Sequence, residues 1–200
     1  MNFDGDFNYL GEMNMQVLNN LVDVLPELDW FANPLRQVSF NVHQNTNTIF
    51  ITNTAQTKPW DGIEPLNVRV SDQRLFDIAK PIIEELEKRF DSKVARCMLI
   101  RLPAGKKIIP HPDSGHYLMS VHRCHIPVQT NPDVLFGVGS TNINMKFGQG
   151  YEINNSKWHR VENNGDEDRV HLLIDLIPND YKYVEERGVI HPETFRPPPK

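Results

Sequence analysis

Cysteine and long apolar segments are scarce in this 200-residue chain, and each absence excludes a class of protein. Its two cysteines, Cys97 and Cys124, are too few for a disulfide framework. Both lie in apolar segments, so we expect reduced, buried thiols, although their pairing stays open. No stretch approaches the roughly 20 apolar residues that cross a bilayer, and the start MNFDGDFNYLGE is acidic and polar, unlike a signal peptide. We therefore predict a soluble, cytoplasmic protein with no membrane association.

Basic charge is also in deficit. The sequence has 26 acidic and 21 basic residues, a net charge of −5, and no long basic run. Nucleic acid is therefore not an expected partner, whereas a small polar or anionic ligand is compatible with a local arginine site. With 39% hydrophobic residues the chain can bury a core of ordinary size, and we predict a single domain over residues 1–200.

Apolar residues at helical spacing predict two helices. The first lies within residues 13–30, where Pro26 discourages its continuation. The second begins near Ser71 and carries an apolar stripe as far as Phe90. Pro81 lies inside this stripe and is expected to kink the helix or to restart it.

Short strand patterns dominate the remainder of the chain. They occur at residues 39–43, 48–52, 96–102, 117–128, 134–138, 142–147 and 170–177, with a hairpin expected at HQNTNT. Helices followed by many short strands predict a mainly β fold with flanking helices, built as an antiparallel double sheet or barrel. We divide the domain into an N-terminal part of helices and strands (residues 1–95), a β core (96–178) and a C-terminal extension (179–200) that ends in RPPPK.

Four of the eight histidines lie between Pro110 and His125, in the stretch PHPDSGHYLMSVHRCH. His111 and Asp113 are two residues apart, which on extended backbone puts both side chains on one face. With the distant His159 they provide the two histidines and one carboxylate that bind non-haem Fe(II) and leave positions open for substrate and O2. The alternatives are a surface His-Pro-Asp turn and a structural role for His159.

Arginine supplies the second part of the pattern. Arg169 follows His159 by ten residues and begins the strand DRVHLLID, where its guanidinium could clamp the distal carboxylate of 2-oxoglutarate. The alternative is an ion pair with the acidic loop Asp166–Asp168. Arg123 and His125 share one face of another strand, and their polar groups need either a bound carboxylate or an internal one.

The region Met98–Leu176 resembles the aspartyl/asparaginyl β-hydroxylase family of Fe(II)- and 2-oxoglutarate-dependent oxygenases, whose known relatives include free-proline hydroxylases. The segments LPAGKKIIPHPD, RCHIPV and FGQGYEINNSKWHRVENNGDEDRVHLLID follow the family's pattern in the family's order. The resemblance implies a double-stranded β-helix, the jelly-roll fold that cupins also have, preceded by helices. It further implies an oxidoreductase of the dioxygenase type that requires Fe(II), 2-oxoglutarate as co-substrate and O2.

The resemblance assigns iron binding to His111, Asp113 and His159. It assigns 2-oxoglutarate binding to a second set, which consists of Arg123, His125 and Arg169. Within that set, Arg123 and His125 match the Arg-x-His that contacts the co-substrate near the metal in the family's animal branch. That branch lacks the metal-binding carboxylate, whereas this sequence keeps Asp113, which makes the site similar to those of the proline-hydroxylase and bacterial members.

We therefore predict a hydroxylase of an amino-acid side chain, either free, such as proline, or Asp, Asn or Pro in a peptide or protein. No catalytic side chain is expected beyond the metal ligands, and substrate recognition is expected around residues 113–122 and in the N-terminal half. The alternatives are a non-catalytic jelly-roll module for binding or assembly with a vestigial metal site, and a cupin-like enzyme with another metal. The sequence leaves the oligomeric state open.

The remaining histidines show no comparable pattern in the sequence. His116 is predicted to be a loop residue and His122 an outward-facing strand residue. Solvated or structural roles are expected for His43, His171 and His191.

Overall fold

The computed structural model describes residues 3–39, 41–54 and 68–181. The predictions for His191 and for the RPPPK end lie outside these residues. The helices are α1 (Gln16–Val22), α2 (Glu27–Phe31), α3 (Leu35–Ser39), a short 3-10 helix (Asn41–His43), α4 (Gln73–Phe90) and α5 (His116–Ser120). No helix in the described part of the chain has both the length and the apolar content needed to cross a membrane.

Strands in the described residues form two sheets. They are β1 (Phe7–Glu12), β2 (Asn47–Thr54), β3 (Val68–Val70), β4 (Ser92–Leu102), β5 (Lys107–His111), β6 (His122–Gln129), β7 (Val134–Val138), β8 (Thr141–Ile143), β9 (Gln149–Ile153), β10 (His159–Asn163) and β11 (Arg169–Pro178). The larger sheet has the order β1-β9-β6-β11-β4-β2-β3, and the smaller has the order β5-β10-β7-β8. Their described pairings are all antiparallel. This arrangement confirms the mainly β, double-stranded β-helix fold with flanking helices.

The central strand β11 shows how the sequence builds both faces of the larger sheet. One set of alternate residues packs into an apolar cluster with α1 and α4, namely Val170, Leu172, Ile174 and Leu176. The other set points the opposite way, towards the smaller sheet, and consists of Arg169, His171, Leu173 and Asp175. The ring of His171 accordingly stacks near Phe136 of β7, with ring centroids 6.3 Å apart. Because β11 is buried on both faces, the polar members of its nearly continuous apolar run mark the side that faces the site.

Helix α4 covers the outer face of the larger sheet. Asp72 caps its start by accepting a hydrogen bond from the backbone N–H of Leu75 at 3.0 Å, and Asp91 ends it in the left-handed conformation at φ 46°. Its buried stripe consists of Leu75, Ala79, Ile83 and Leu86. The helix runs through Pro81, so of the two outcomes predicted there the restart is wrong, because residues on both sides of the proline pack against the same sheet, and the kink stays a prediction.

The segment at residues 39–43 is predicted as a strand, and that prediction is wrong. Of its described residues, Ser39 ends α3 and Asn41–His43 form the 3-10 helix. Local polar bonds close the turn, since Thr46 Oγ1 donates to the carbonyl of His43 at 2.8 Å and Gln37 Nε2 donates to Thr48 Oγ1 at 3.2 Å. The hairpin expected at HQNTNT does not form in the described residues, because the 3-10 helix directly precedes β2 and the strand pairs with β3 and β4 instead.

Two further strands are shorter than predicted. Residues His116–Ser120 form α5, because Gly115 turns the chain at φ 96°, and β6 begins only at His122. Strand β8 ends at Ile143, after which Asn144 donates its side-chain amide to the Val134 carbonyl at 2.6 Å. A side chain thus takes the place of the backbone ladder there.

The two cysteines are free and buried, as the sequence predicts. Both pack in the apolar cluster between the larger sheet and its helices. Burial raises the pKa of each thiol, so both stay protonated and unreactive at neutral pH.

Truncating the core between α4 and the larger sheet should destabilise the fold. The Leu172→Ala variant removes a fully buried side chain from β11 and should lower the free energy of unfolding by about 2–5 kcal/mol. Urea denaturation followed by circular dichroism measures this loss. The matched Val17→Ala variant, at a position that is 61% exposed on α1, should change it by less than about 0.5 kcal/mol. Equal effects of the two substitutions would contradict this packing.

Candidate active site

Three side chains from the smaller sheet and the loop after β5 form one polar group. His159 at the start of β10 pairs directly with His111 at the end of β5, which brings their ring centroids to 4.3 Å. Asp113 follows two residues later, and its backbone N–H donates to the Asn155 carbonyl at 2.9 Å. One ligand atom from each of the three lies within 4.8 Å of the others. The structure thus brings together the three residues that the sequence singles out as metal ligands.

Backbone carbonyls orient both imidazoles. The Nδ1 atom of His111 lies 2.8 Å from the Ile109 carbonyl, and Nδ1 of His159 lies 2.9 Å from the Lys157 carbonyl. Since a carbonyl can only accept, Nδ1 carries the proton in each ring and Nε2 keeps a free lone pair. Burial lowers the pKa of His111 to about 4 and also lowers the pKa of His159. Both rings are therefore neutral at pH 7 and able to bind a cation.

Asp113 is ionised in this setting. Burial by itself raises the pKa of the carboxyl group, but Arg123 above all, and then the two histidines, hold it below its ordinary value. The carboxylate accepts hydrogen bonds from Arg123 Nη1 and from Asn155 Nδ2, the latter at 3.1 Å. Asn155 also donates to the Leu118 carbonyl at 2.7 Å, which fixes the amide that orients Asp113.

Arg123 is held by carboxylates of the protein itself. Its Nε and Nη2 donate to Asp175 at 2.8 and 2.9 Å, while Nη1 donates to Asp113. Arg96 donates to the same Asp175 at 2.7 and 3.0 Å. These contacts correspond to the internal carboxylate that the sequence left open as an alternative. A role for Arg123 in contacting 2-oxoglutarate stays a prediction.

A second polar cluster lies along the inner face of the larger sheet, and none of the carboxylates in the described part of the chain pairs with its arginine. Arg169 Nη2 donates to His171 Nδ1 at 2.6 Å. Three buried atoms of this cluster have no hydrogen-bond partner among the described residues: Arg169 Nε, His171 Nε2 and His125 Nδ1. Burial lowers the pKa of Arg169 to about 9, so the guanidinium remains charged at pH 7. This cluster therefore has donors and charge directed at an anion that the described residues do not provide.

The acidic loop before β11 does not neutralise Arg169. Asp168 instead accepts a hydrogen bond from the backbone N–H of Ala104 at 3.0 Å, and it lies 3.8 Å from Arg101. The strand-end ion pair considered from the sequence is therefore not formed among the described residues.

Two histidines without a sequence pattern lie beside the site. His171 is two residues after Arg169 on β11, so the spacing of a strand could have revealed that they share a face. His43 packs edge-on against His111, with ring centroids 5.6 Å apart, and accepts a hydrogen bond from Arg36 Nη2 at 2.9 Å. No local sequence signal indicates the position of His43, because the 3-10 helix reaches β5 only through the tertiary fold.

His116 and His122 lie outside the three-ligand group. The ring of His116, in α5, contacts the Tyr181 hydroxyl at 2.9 Å. His122 faces away from Arg123, as expected, but it is buried rather than solvent-facing. Its Nδ1 lies 2.7 Å from Glu152, and its ring stacks on Phe90 with centroids 4.3 Å apart. Helix α4 covers this position, which the strand pattern alone does not show.

The comparisons with known proteins identify the family. A sequence profile described as "Aspartyl/Asparaginyl beta-hydroxylase" matches residues 67–178, which is more than half of the chain. The chain belongs to this family. It is therefore an enzyme of the 2-oxoglutarate- and Fe(II)-dependent hydroxylase class, as the resemblance in the sequence implies. A search of curated protein sequences finds no significant match.

Solved structures of low sequence identity share the fold of this hydroxylase. An oxidoreductase of the 2OG-Fe(II) oxygenase family from Burkholderia pseudomallei matches with 12% identity, 86% of this chain, 84% of that chain and a TM-score of 0.59. A viral collagen prolyl hydroxylase from Paramecium Bursaria Chlorella virus-1 matches with 6% identity, coverages of 88% and 97%, and a TM-score of 0.55. A prolyl-4-hydroxylase from Pseudomonas putida matches with 9% identity, 88% of this chain, 94% of that chain and a TM-score of 0.52.

Removing the carboxylate between the two arginines should destabilise the hydroxylase. In the Asp175→Asn variant, Arg96 and Arg123 lose a buried counter-ion, which should cost about 3–5 kcal/mol of folding free energy. Burial alone would raise the pKa of Asp175, but Arg123 and then Arg96 lower it. The stabilisation that ionised Asp175 gives the fold is therefore complete above a pH of about 3.9, the pKa of an aspartate in the unfolded chain. It is lost as the pH falls below that value.

Urea denaturation over a series of pH values measures both effects. The wild-type protein should lose stability as the pH falls below about 4, and the Asp175→Asn variant should lack that part of the slope. The Asp133→Asn variant, at an exposed carboxylate, provides the matched control. An unchanged acid slope in Asp175→Asn would show that this carboxylate is not coupled to folding.

Proposed function

We propose that this hydroxylase acts on an amino-acid side chain, with Fe(II) bound by His111, Asp113 and His159 and 2-oxoglutarate bound against Arg169. The substrate is either a free amino acid, such as proline, or Asp, Asn or Pro in a peptide or protein. One observation carries the proposal: a group of three metal-binding side chains shares the interior of the jelly roll with a buried arginine that has no anion among the described residues. Family membership supports the reaction type.

The donor set fits Fe(II). Two neutral imidazoles with free Nε2 atoms and one ionised carboxylate make up the facial ligand set of non-haem iron oxygenases, which leaves positions open for co-substrate and O2. The carbonyls that hold each Nδ1–H fix the orientation of the rings before metal binds. Arg123 and Asn155 do the same for Asp113, so both are positioning residues in this proposal.

The unpartnered atoms of the second cluster fit the distal carboxylate of 2-oxoglutarate. Arg169 is positively charged and has a free Nε–H. Because His171 Nδ1 accepts from Arg169, the proton of that ring is on Nε2, which can donate to the same carboxylate. The ring of His125 packs edge-on against that of His171, with centroids 5.8 Å apart, and its Nδ1 also has no partner among the described residues. We therefore assign His171 to the co-substrate site together with Arg169 and His125.

The interior of the jelly roll also provides a dry environment for the reaction. When bound, iron and 2-oxoglutarate supply, with O2, the oxidising power that replaces a substrate C–H with C–OH, and succinate and CO2 are the co-products. The ring of Phe136 lies 5.1 Å from that of His125 and 5.7 Å from the Arg169 guanidinium. This apolar wall excludes water from the co-substrate and strengthens its electrostatic contacts.

Removing the carboxylate ligand should lower turnover. The protein is loaded with Fe(II) and 2-oxoglutarate without oxygen and then exposed to O2 with a panel of free amino acids and of peptides that contain Asp, Asn or Pro. Succinate formation, measured by NMR, should depend on the metal and should fall at least about tenfold in Asp113→Ala, because the proposed ligand set loses its anionic member and Arg123 loses one of its two carboxylate partners. The Asp133→Ala variant, at an exposed carboxylate, should behave as the wild type. Metal-independent succinate formation would contradict the proposal.

Neutralising the buried arginine should weaken co-substrate binding. Arg169→Gln removes a charge-assisted contact and should raise the KM for 2-oxoglutarate at least about tenfold. Binding of 2-oxoglutarate to the Mn(II)-loaded protein, measured by calorimetry, should weaken in parallel. The Arg160→Gln variant is the control, since Arg160 of β10 contacts Asn142 and Glu162 instead. Equal affinities of the two variants for 2-oxoglutarate would exclude Arg169 as the anchor.

A further inference from the structure

Arg36 in α3 lies next to the metal group. Its Nη2 donates to His43 Nε2 at 2.9 Å, and its Nη1 lies 3.4 Å from Thr48 Oγ1. The ring of His43 in turn packs edge-on against His111, with centroids 5.6 Å apart. One side chain therefore separates the Arg36 guanidinium from a metal-binding imidazole. Since His43 Nε2 accepts from Arg36, His43 is neutral and orients the guanidinium rather than competing with it for an anion.

The charge of Arg36 is not neutralised by the described residues. None of their carboxylates lies within ion-pair distance of it. Asp113 and Asp175 act on it only at longer range, because both carboxylates are already bonded to other arginines. Burial first, and then repulsion from Arg96 and Arg123, lowers the pKa of Arg36 to about 9, so it remains a cation at pH 7. An anion placed here would relieve both the desolvation and the repulsion.

The metal and co-substrate of the proposed function do not supply that anion. Fe(II) carries two positive charges, and 2-oxoglutarate carries two negative charges that cancel them. Arg96 and Arg123 share Asp175 and Asp113. The distal carboxylate of 2-oxoglutarate is assigned to Arg169, on the inner face of β11, which leaves Arg36 as a cation beside the metal group. The N–H groups that its described bonds leave free are the means to bind an oxyanion.

We propose that Arg36 binds a carboxylate of the substrate and that His43 positions it for this role. This inference rests on the proposed function and narrows it to carboxylate-bearing substrates. The carboxylate is either the α-carboxylate of a free amino acid or an acidic group of a peptide. Arg36 is thus a specificity-determining residue, and it lies in the N-terminal half, where the sequence places part of substrate recognition without identifying a residue.

Acetate is the smallest probe of this site. The protein is loaded with Mn(II) and saturating 2-oxoglutarate, and the relaxation rate of the acetate methyl protons is measured by NMR across a titration. The wild type should give a saturable enhancement for acetate and none for neutral acetamide. In Arg36→Gln the apparent affinity for acetate should fall at least about tenfold, because a charge-assisted contact is lost. Arg74→Gln, at an exposed arginine of α4, should match the wild type.

A second variant keeps the test decisive if Arg36→Gln does not fold. Arg36→Lys retains the charge but not the planar fork, so it should bind acetate more weakly than the wild type. Thermal unfolding with Mn(II) and 2-oxoglutarate shows which variants fold and load. Wild-type protein that responds equally to acetate and acetamide, or folded Arg36 variants with wild-type acetate affinity, would overturn the proposal.

Matched substrate pairs distinguish the two sources of the carboxylate. Succinate formation is compared between free amino acids and their α-amides, and between peptides with Asp and the same peptides with Asn. Loss of turnover on amidation identifies the α-carboxylate in the first set and the side-chain carboxylate in the second. A substrate used equally well as its amide would overturn the inference. Metal-dependent succinate formation without an acetate site would remove the inference about Arg36 but leave the proposed function. An acetate site without succinate formation would remove the proposed function but leave carboxylate binding by Arg36.

Discussion

The structure depends on one buried ion pair network centred on Asp175. This carboxylate is fully buried on β11 and lies opposite Arg96 of β4 and Arg123 of β6 in the strand registers. It therefore links the three central strands of the larger sheet. Arg123 then extends from this network to Asp113, so the position of a metal-binding carboxylate depends on the packing of the central sheet. Two arginines buried beside the single carboxylate of Asp175 would be costly without the second carboxylate, Asp113. The site and the core therefore form one unit.

The polar interior has one part in which the charges are balanced and two parts in which positive charge is in excess. Around Asp175, two arginines and two carboxylates pair with one another, and Asp113 of the metal group is held in its ionised form. Around Arg169, which is fully buried, and around Arg36, which is half-buried, positive charge is present without a carboxylate within ion-pair distance among the described residues. Proteins seldom bury an unpaired charge without a functional reason, because desolvation is expensive. The places where the structure leaves charge unbalanced are therefore the places where the hydroxylase is expected to bind its anionic ligands.

Sequence patterns located most of the β core but failed where side chains replaced backbone pairing. The apolar run of β11 predicts a strand and the apolar stripe of α4 predicts a helix, because both patterns are regular. The segment at residues 39–43 has strand-like composition, yet Ser39 ends α3 and Asn41–His43 form a 3-10 helix, which local bonds from Thr46 and Gln37 accompany. His122 was expected to face solvent because alternation assigns a face of a strand and not what covers that face. Only the packing of Phe90 shows that it is buried.

By itself, the sequence determined which residues are chemically suited to a metal and an oxo acid, and which of them share a strand face. His111 with Asp113 and Arg123 with His125 follow from a period of two, which is a local property of extended chain. Tertiary structure alone decided the partners. It paired Arg123 with Asp175, placed His43 against His111 and brought Arg36 to the metal group. These contacts join elements far apart in the chain, and they arise only when the strands of the larger sheet pair and the two sheets close around a common interior, so no local pattern encodes them.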